Sequence, residues 1–172
     1  MATTPKKPVA RLEVKKTYKL YINGAFPRSE SGRVYEVLTS KGVSVANPSL
    51  ASRKDLRDAV VAARAAQSGW AKATAYNRGQ ILYRIAEMLE GRTDQLAIEI
   101  SLATGVTSKK ARDEVLAAID RWVWMAGWSD KLSAAFGSTN PVSGPYYNFT
   151  IPEPQGVIAV APAESFLAFI DA

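Results

Sequence analysis

The sequence predicts an α/β chain in which a β-prone N-terminal stretch and four helices lead into the first strand of a parallel sheet. Three observations carry this. Tyr18-Lys19-Leu20-Tyr21-Ile22 is β-prone and alternating, and Asn23-Gly24 after it suits the two positive φ angles of a type I′ hairpin turn. Between residues 52 and 128, apolar side chains recur at helical spacing with glycines between the runs. Val157-Ile158-Ala159-Val160 is short and wholly apolar, the pattern of a strand buried on both faces.

The strands come first. Phe26 begins the return of the hairpin, Val34, Tyr35, Val37 and Leu38 suggest a second strand, and Val43 to Ala46 a third. Asn47-Pro48 is expected to stop extended structure. Ser52, with Asp55 three residues on, marks the start of a first helix carrying Leu56, Ala59, Val60, Ala63 and Ala66 on one face, with Gly69 as its expected stop. A second helix starts near Thr74, carries Ile81, Leu82, Ile85, Met88 and Leu89, and ends at Gly91. Thr93 is the expected cap of a third helix with Leu96, Ile100 and Ala103 inward, broken by Gly105. Thr107 or Ser108 starts a fourth, which runs through Val115, Ala118, Ile119, Trp122 and Met125 to about Trp128. Gly137, Pro141, Gly144 and Pro145 then mark a loop, Tyr147 to Ile151 a strand, and residues 152–156 a link to the apolar run. Residues 165–172 read as the opening turns of a helix beyond it. A strand, loop and helix start form half of a βαβ unit whose second parallel strand is not among these residues.

The composition excludes several chemistries. Hydrophobic residues are 47% and charged residues 22%, a globular balance, and no apolar run approaches the ~18 residues that cross a bilayer. There is no cysteine and no histidine, which removes disulfides, thiolate metal sites and a serine–histidine triad at Ser165. With no secretory signal either, the cytoplasm is the expected compartment. The net charge of +6 is uneven, because residues 1–16 hold five basic side chains against Glu13. Residues 1–17 therefore read as a basic flexible tail. No nucleic-acid partner is expected, since no aromatic residue precedes Tyr18 to stack on bases.

Six stretches in this order resemble the aldehyde dehydrogenase superfamily from about Tyr18 onward. Leu20-Tyr21-Ile22-Asn23-Gly24 is similar to the opening hairpin and Val45-Ala46-Asn47-Pro48 to the entry of the first helix. Ala59 to Trp70 is similar to that helix, and Asn77-Arg78 with Ile81 to Ala86 to the second. Ala103-Thr104-Gly105 resembles the family's "TGK"-like helix end, with Val106 in place of the usual Lys. Pro154-Gln155-Gly156-Val157 through Pro162 resembles the strand that opens the cofactor-binding domain.

The resemblance implies an enzyme that oxidises an aldehyde to an acid with NAD or NADP, using a catalytic Cys, a Glu base and a Gly-rich dinucleotide loop. It also implies an incomplete Rossmann-like parallel sheet. Residues 18–136 would be the N-terminal part of the cofactor-binding domain, 137–152 bridging strands used in oligomers, and 153–172 the truncated start of that sheet. None of the reacting groups can be assigned, because the chain has no Cys and the loop and base would lie after Ala172. One position departs. The family's "P-W-N", whose Asn helps hold the oxyanion, is replaced by Pro162-Ala163-Glu164, as in a divergent branch with an acidic residue there. An ionised Glu164 has no donor to offer and would repel the oxyanion. Ala161, Pro162 and Ala163 would border the cofactor by the same resemblance.

The expected function is thus the N-terminal portion of an aldehyde dehydrogenase-like oxidoreductase, not catalytic by itself and not expected to bind the cofactor well. The aldehyde would be a substrate of the longer parent alone. The alternative is a non-catalytic assembly subunit pairing with a full-length relative. Either would form a homo- or hetero-oligomer through residues 138–151, where Tyr146-Tyr147-Asn148-Phe149 offers an edge strand. Trp122 is expected in the core, and Trp124 with Trp128 on the next face against another domain or subunit. Asp113-Glu114 beside Lys109, Lys110 and Arg112 reads as a solvated helix face with i,i+4 pairs. Gly137, Gly144 and Gly156 do not make a phosphate loop, and no metal-ligand spacing occurs.

Overall fold

The computed structural model describes residues 14–39 and 41–162. Its elements are β1 (Val37–Leu38), β2 (Ser44–Ala46), α1 (Arg53–Lys72), α2 (Ala75–Glu90), α3 (Thr93–Thr104), α4 (Ser108–Trp128), α5 (Leu132–Phe136), β3 (Ser138–Thr139) and β4 (Phe149–Thr150).

The N-terminal hairpin forms as its two turn residues require. Asn23 has φ 52° and Gly24 φ 75°, and Ile22 and Ala25 exchange both backbone hydrogen bonds at 3.0 and 3.1 Å. The chain is tied down from Lys16, two residues before the expected boundary of the tail. Lys16 and Ala46 form a parallel bridge, and the N–H groups of Asn47 and Ser49 donate to the carbonyls of Lys16 and Tyr18. On the other side of residues 44–50, β1 pairs antiparallel with β2 and Val34 bridges Ser49. Asn47-Pro48 therefore does not end the pairing as expected. Proline lacks only the donor, and the Pro48 carbonyl still accepts from Tyr35 N at 3.0 Å.

Ser52 caps α1 through the expected reciprocal box. Asp55 N donates to Ser52 Oγ, and Ser52 N donates to Asp55 Oδ2 at 2.8 Å. The helix passes Gly69 and ends at Lys72. One glycine in a helix lowers stability without ending it, so the expected stop was misplaced. Thr74 and Thr107 cap α2 and α4 by accepting from Asn77 N and Lys110 N. Thr93 is not the cap of α3 but its first residue, and its hydroxyl donates back to the Glu90 carbonyl at 2.8 Å, joining α2 to α3. Gly105 closes α3 in the left-handed conformation, φ 75°. The helix α5 was not anticipated, and at five residues it is too short for periodicity to reveal.

The core lies where α4 packs against α2 and α3. It is built from small side chains: Ala86 of α2, Ala97 of α3, and Ala111, Val115 and Ala118 of α4 are buried. Gly79 lets α2 approach α4 closely, since a Cβ there would sit 3.1 Å from the Ala126 carbonyl oxygen. Several residues expected inward are not. Leu56 of α1, Ile81 and Met88 of α2 and Ala103 of α3 are exposed, while Leu82, Ile85, Leu89, Leu96 and Ile100 are half-buried. Helical spacing placed them on apolar faces, which the described residues cover only in part. Residues 157–160, expected as a strand, belong to none and are exposed. A strand needs a hydrogen-bonding neighbour, and the described residues supply none to this run.

Candidate functional site

The sequence-predicted oxyanion region sits at the far end of the described chain. Ala161 and Pro162 are exposed and outside any regular element. Ala163 and Glu164 lie outside the described residues, as does the expected helix start at 165–172.

Three of the described helix starts are closed by their own side chains. Pyrophosphate binding needs free backbone N–H groups at a helix N-terminus, usually after a glycine-rich turn. Here Ser52, Thr74 and Thr107 occupy the starts of α1, α2 and α4 with their own side chains. The starts of α1, α2 and α4 therefore have donors already engaged by their own caps. An open groove of about 1380 Å³ runs between residues 14–18, the β1–β2 ribbon and α3. Its wall is mainly apolar, with Leu38, Val43, Val45, Leu96 and Ile100, and its charged groups are Lys15, Lys16 and Glu99. Ser44 Oγ is buried in that wall without a partner.

Asp55 has the most constrained ionisable group among the described residues. Besides the Ser52 contacts, its carboxylate accepts from Ser29 Oγ at 2.7 Å and from Glu30 N at 3.3 Å. These bonds stabilise the anion, led by the Ser52 backbone N–H and then the Ser29 hydroxyl, and hold its pKa down at about 2. Lys54 adds an ion pair to Glu30 at 3.2 Å. Every oxygen is engaged in fastening the loop at Ser29 and Glu30 to the start of α1, so the group is a structural clasp. Nothing in the sequence near Asp55 signals Ser29, which lies 26 residues away.

The face with the strongest character is aromatic. β3 and β4 form an antiparallel pair in the register Ser138 to Thr150 and Thr139 to Phe149. Asn140 reinforces it by donating its side-chain amide to Asn148 Oδ1 and Thr150 Oγ1, both at 3.0 Å. Gly137 lets β3 turn directly off α5, because a Cβ there would collide with the Ser133 carbonyl oxygen. Tyr146 and Tyr147 are 77% and 76% exposed, and Tyr147 packs on Phe149 with ring centroids 5.3 Å apart. A second aromatic row runs from Trp124 to Trp128 (5.6 Å) and on to Phe136 (6.5 Å). Trp124 is exposed and Trp128 half-buried, as their i,i+4 spacing on a second face suggests. Trp122 is half-buried, and its indole N–H lies buried without a partner. Phe136 was missed by sequence reading because α5 was. Arg112 pairs across to Asp94 of α3, whereas the expected Lys109–Asp113 pair along α4 does not form. No described helix is long and apolar enough to cross a membrane.

Comparison with known proteins explains the order of these elements. The family model for the aldehyde dehydrogenase family matches residues 26–162. Human mitochondrial 10-formyltetrahydrofolate dehydrogenase is 33% identical over 162 residues, which are 90% of this chain and 17% of that protein. Human retinal dehydrogenase 2 is 37% identical over 155 residues, 87% of this chain and 29% of that one. Among solved structures, an NAD-dependent aldehyde dehydrogenase from Sinorhizobium meliloti superposes with a TM-score of 0.70 at 27% identity, covering 83% of this chain and 28% of that one. The chain thus spans less than a third of the length of each of these relatives. A match that takes in the capped helices, the close-packed α2–α4 pair and the β3–β4 hairpin places this chain in the aldehyde dehydrogenase family.

Proposed function

We propose that these residues are the N-terminal portion of an NAD- or NADP-dependent enzyme that oxidises an aldehyde to an acid, and that the 172-residue chain does not catalyse alone. The observation that carries this is the complete absence of cysteine from a chain of this family. Aldehyde oxidation of this type needs a thiolate to form the thiohemiacetal from which hydride departs to the nicotinamide. No other residue type here replaces a soft, low-pKa nucleophile. Glu164 belongs to the same proposal. A carboxylate where relatives of this pattern place an amide donor would leave the longer protein slow or inactive.

The purified chain, mixed with an aldehyde and either NAD or NADP, is expected to give no rise in the absorbance of reduced nicotinamide. Turnover that persists through further purification would contradict the reading.

The exposed aromatic hairpin favours a second role for the same residues. Residues 138–151 would assemble this chain with another copy or with a full-length relative by edge-strand pairing and aromatic burial. Co-elution of the chain with such a relative on size-exclusion chromatography is the expected sign.

A further inference from the structure

Asn23 stands apart from the other asparagines of the chain. Asn47 and Asn140 precede proline, Asn77 precedes Arg78 and Asn148 precedes Phe149, whereas Asn23 alone precedes a glycine. An asparagine amide can be lost when the backbone nitrogen of the following residue attacks its Cγ. A side chain on that residue crowds the attack, and proline has no N–H to lose.

The fold leaves this pair open to the reaction. Asn23 and Gly24 are exposed at the tip of the hairpin, and nothing lies within 4 Å of the place a Cβ would take on Gly24. The turn is held by the Ile22 and Ala25 backbone bonds, and among the described residues none accepts from the Gly24 N–H and none donates to or accepts from the Asn23 side-chain amide. The competing sites are held. The Asn148 amide accepts from Asn140 across the β3–β4 pair, and the N–H after Asn77 donates to the Thr74 carbonyl inside α2.

We propose that Asn23 is a modification site at which the folded protein deamidates without an enzyme, through a cyclic imide. The Gly24 nitrogen loses its proton and bonds to Cγ of Asn23. The bond from Cγ to the amide nitrogen breaks, and ammonia leaves with that proton. Water then opens the imide at one of its two carbonyls, giving aspartate or isoaspartate at position 23. No oxidant or reductant takes part. The product carries one more negative charge at neutral pH. In the isoaspartate form the backbone runs through the former side-chain methylene, and the extra atom does not fit a two-residue turn. The Ile22–Ala25 pair then opens, and the Tyr21–Phe26 ring contact, centroids 5.1 Å apart, is lost with it. Deamidation thereby loosens the N-terminal edge of the strand layer as the protein ages.

The test is to incubate the purified chain, folded, at mildly alkaline pH and follow intact mass, isoelectric focusing and peptide mapping. The expected result is a steady mass gain equal to replacing NH₂ by OH, a one-charge acidic shift, and conversion in the peptide containing Asn23 ahead of every other asparagine. Asn23→Gly, which keeps the positive φ of the turn, should abolish both shifts. The proposal is overturned if Asn23 keeps its amide while other asparagines convert, if none converts, or if Asn23 converts only in a sample held in denaturant.

Discussion

At the residue scale, Asp55 is where protonation state and fold meet most directly. Its carboxylate has an ordinary pKa of 3.8 and is held at about 2 in the fold, first by the Ser52 N–H and then by the Ser29 hydroxyl. The unfolded chain therefore binds a proton there at a higher pH than the folded one does. The stabilisation is complete above pH 3.8 and drains away as pH falls toward 2. We expect the melting temperature of the wild-type chain to drop more steeply across that window than that of Asp55→Asn, which has no carboxylate to protonate. Parallel slopes in a thermal melt series would remove Asp55 from this role. Half of the clasp was legible in the sequence, because Ser52 and Asp55 are three residues apart and a capping box is local. The half supplied by Ser29 and Glu30 depends on a loop returning across more than twenty residues, which no spacing rule reveals.

At the element scale, two glycines in helices carry opposite expectations. Gly69 of α1 has open space where a Cβ would stand, so Gly69→Ala gains helix propensity and should stabilise by about 0.5–1 kcal/mol. Gly79 of α2 faces the Ala126 carbonyl and Ser129 Cβ of the α4 region at 3.1 and 3.3 Å. A helix backbone cannot yield as a long side chain does, so Gly79→Ala should destabilise in spite of the same propensity gain, by about 1 kcal/mol. Chemical denaturation of both variants checks the contrast, and a stabilising Gly79→Ala would show that α2 and α4 are more loosely packed than described.

The β3–β4 hairpin makes the other prediction at this scale. Tyr147→Lys with Phe149→Lys should lower the assembled mass seen by light scattering while leaving the helical circular dichroism unchanged. Both rings are exposed, so the folding stability should move by less than about 1 kcal/mol. Unaltered assembly would point away from this hairpin. Helix starts were legible because serine and threonine caps act within one turn. Burial was less so. Periodicity found Val115 and Ala118, but not Ala97 and Ala111, which are buried by the close approach of three helices, and it also marked the faces of Leu56 and Met88 that stay exposed.

At the scale of the whole molecule, the described elements form a helical core and two small strand pairs, with large apolar side chains from Leu56 to Val160 left in solvent. Exposed apolar area on this scale is characteristic of a surface meant to be covered. The family and the α/β class were readable from six ordered stretches of sequence. The cofactor and oxyanion regions were not, since the sequence has no cysteine and Ala163 and Glu164 lie outside the described residues. All of this turns on whether the 172 residues act within a larger polypeptide. Intact mass spectrometry of the protein isolated from its own cells decides that most directly. We expect a species roughly three times 18.6 kDa, because 87% of this chain spans only 29% of retinal dehydrogenase 2. A sole species at 18.6 kDa would contradict the proposal of a longer aldehyde-oxidising parent and leave the aromatic hairpin as the function of the chain.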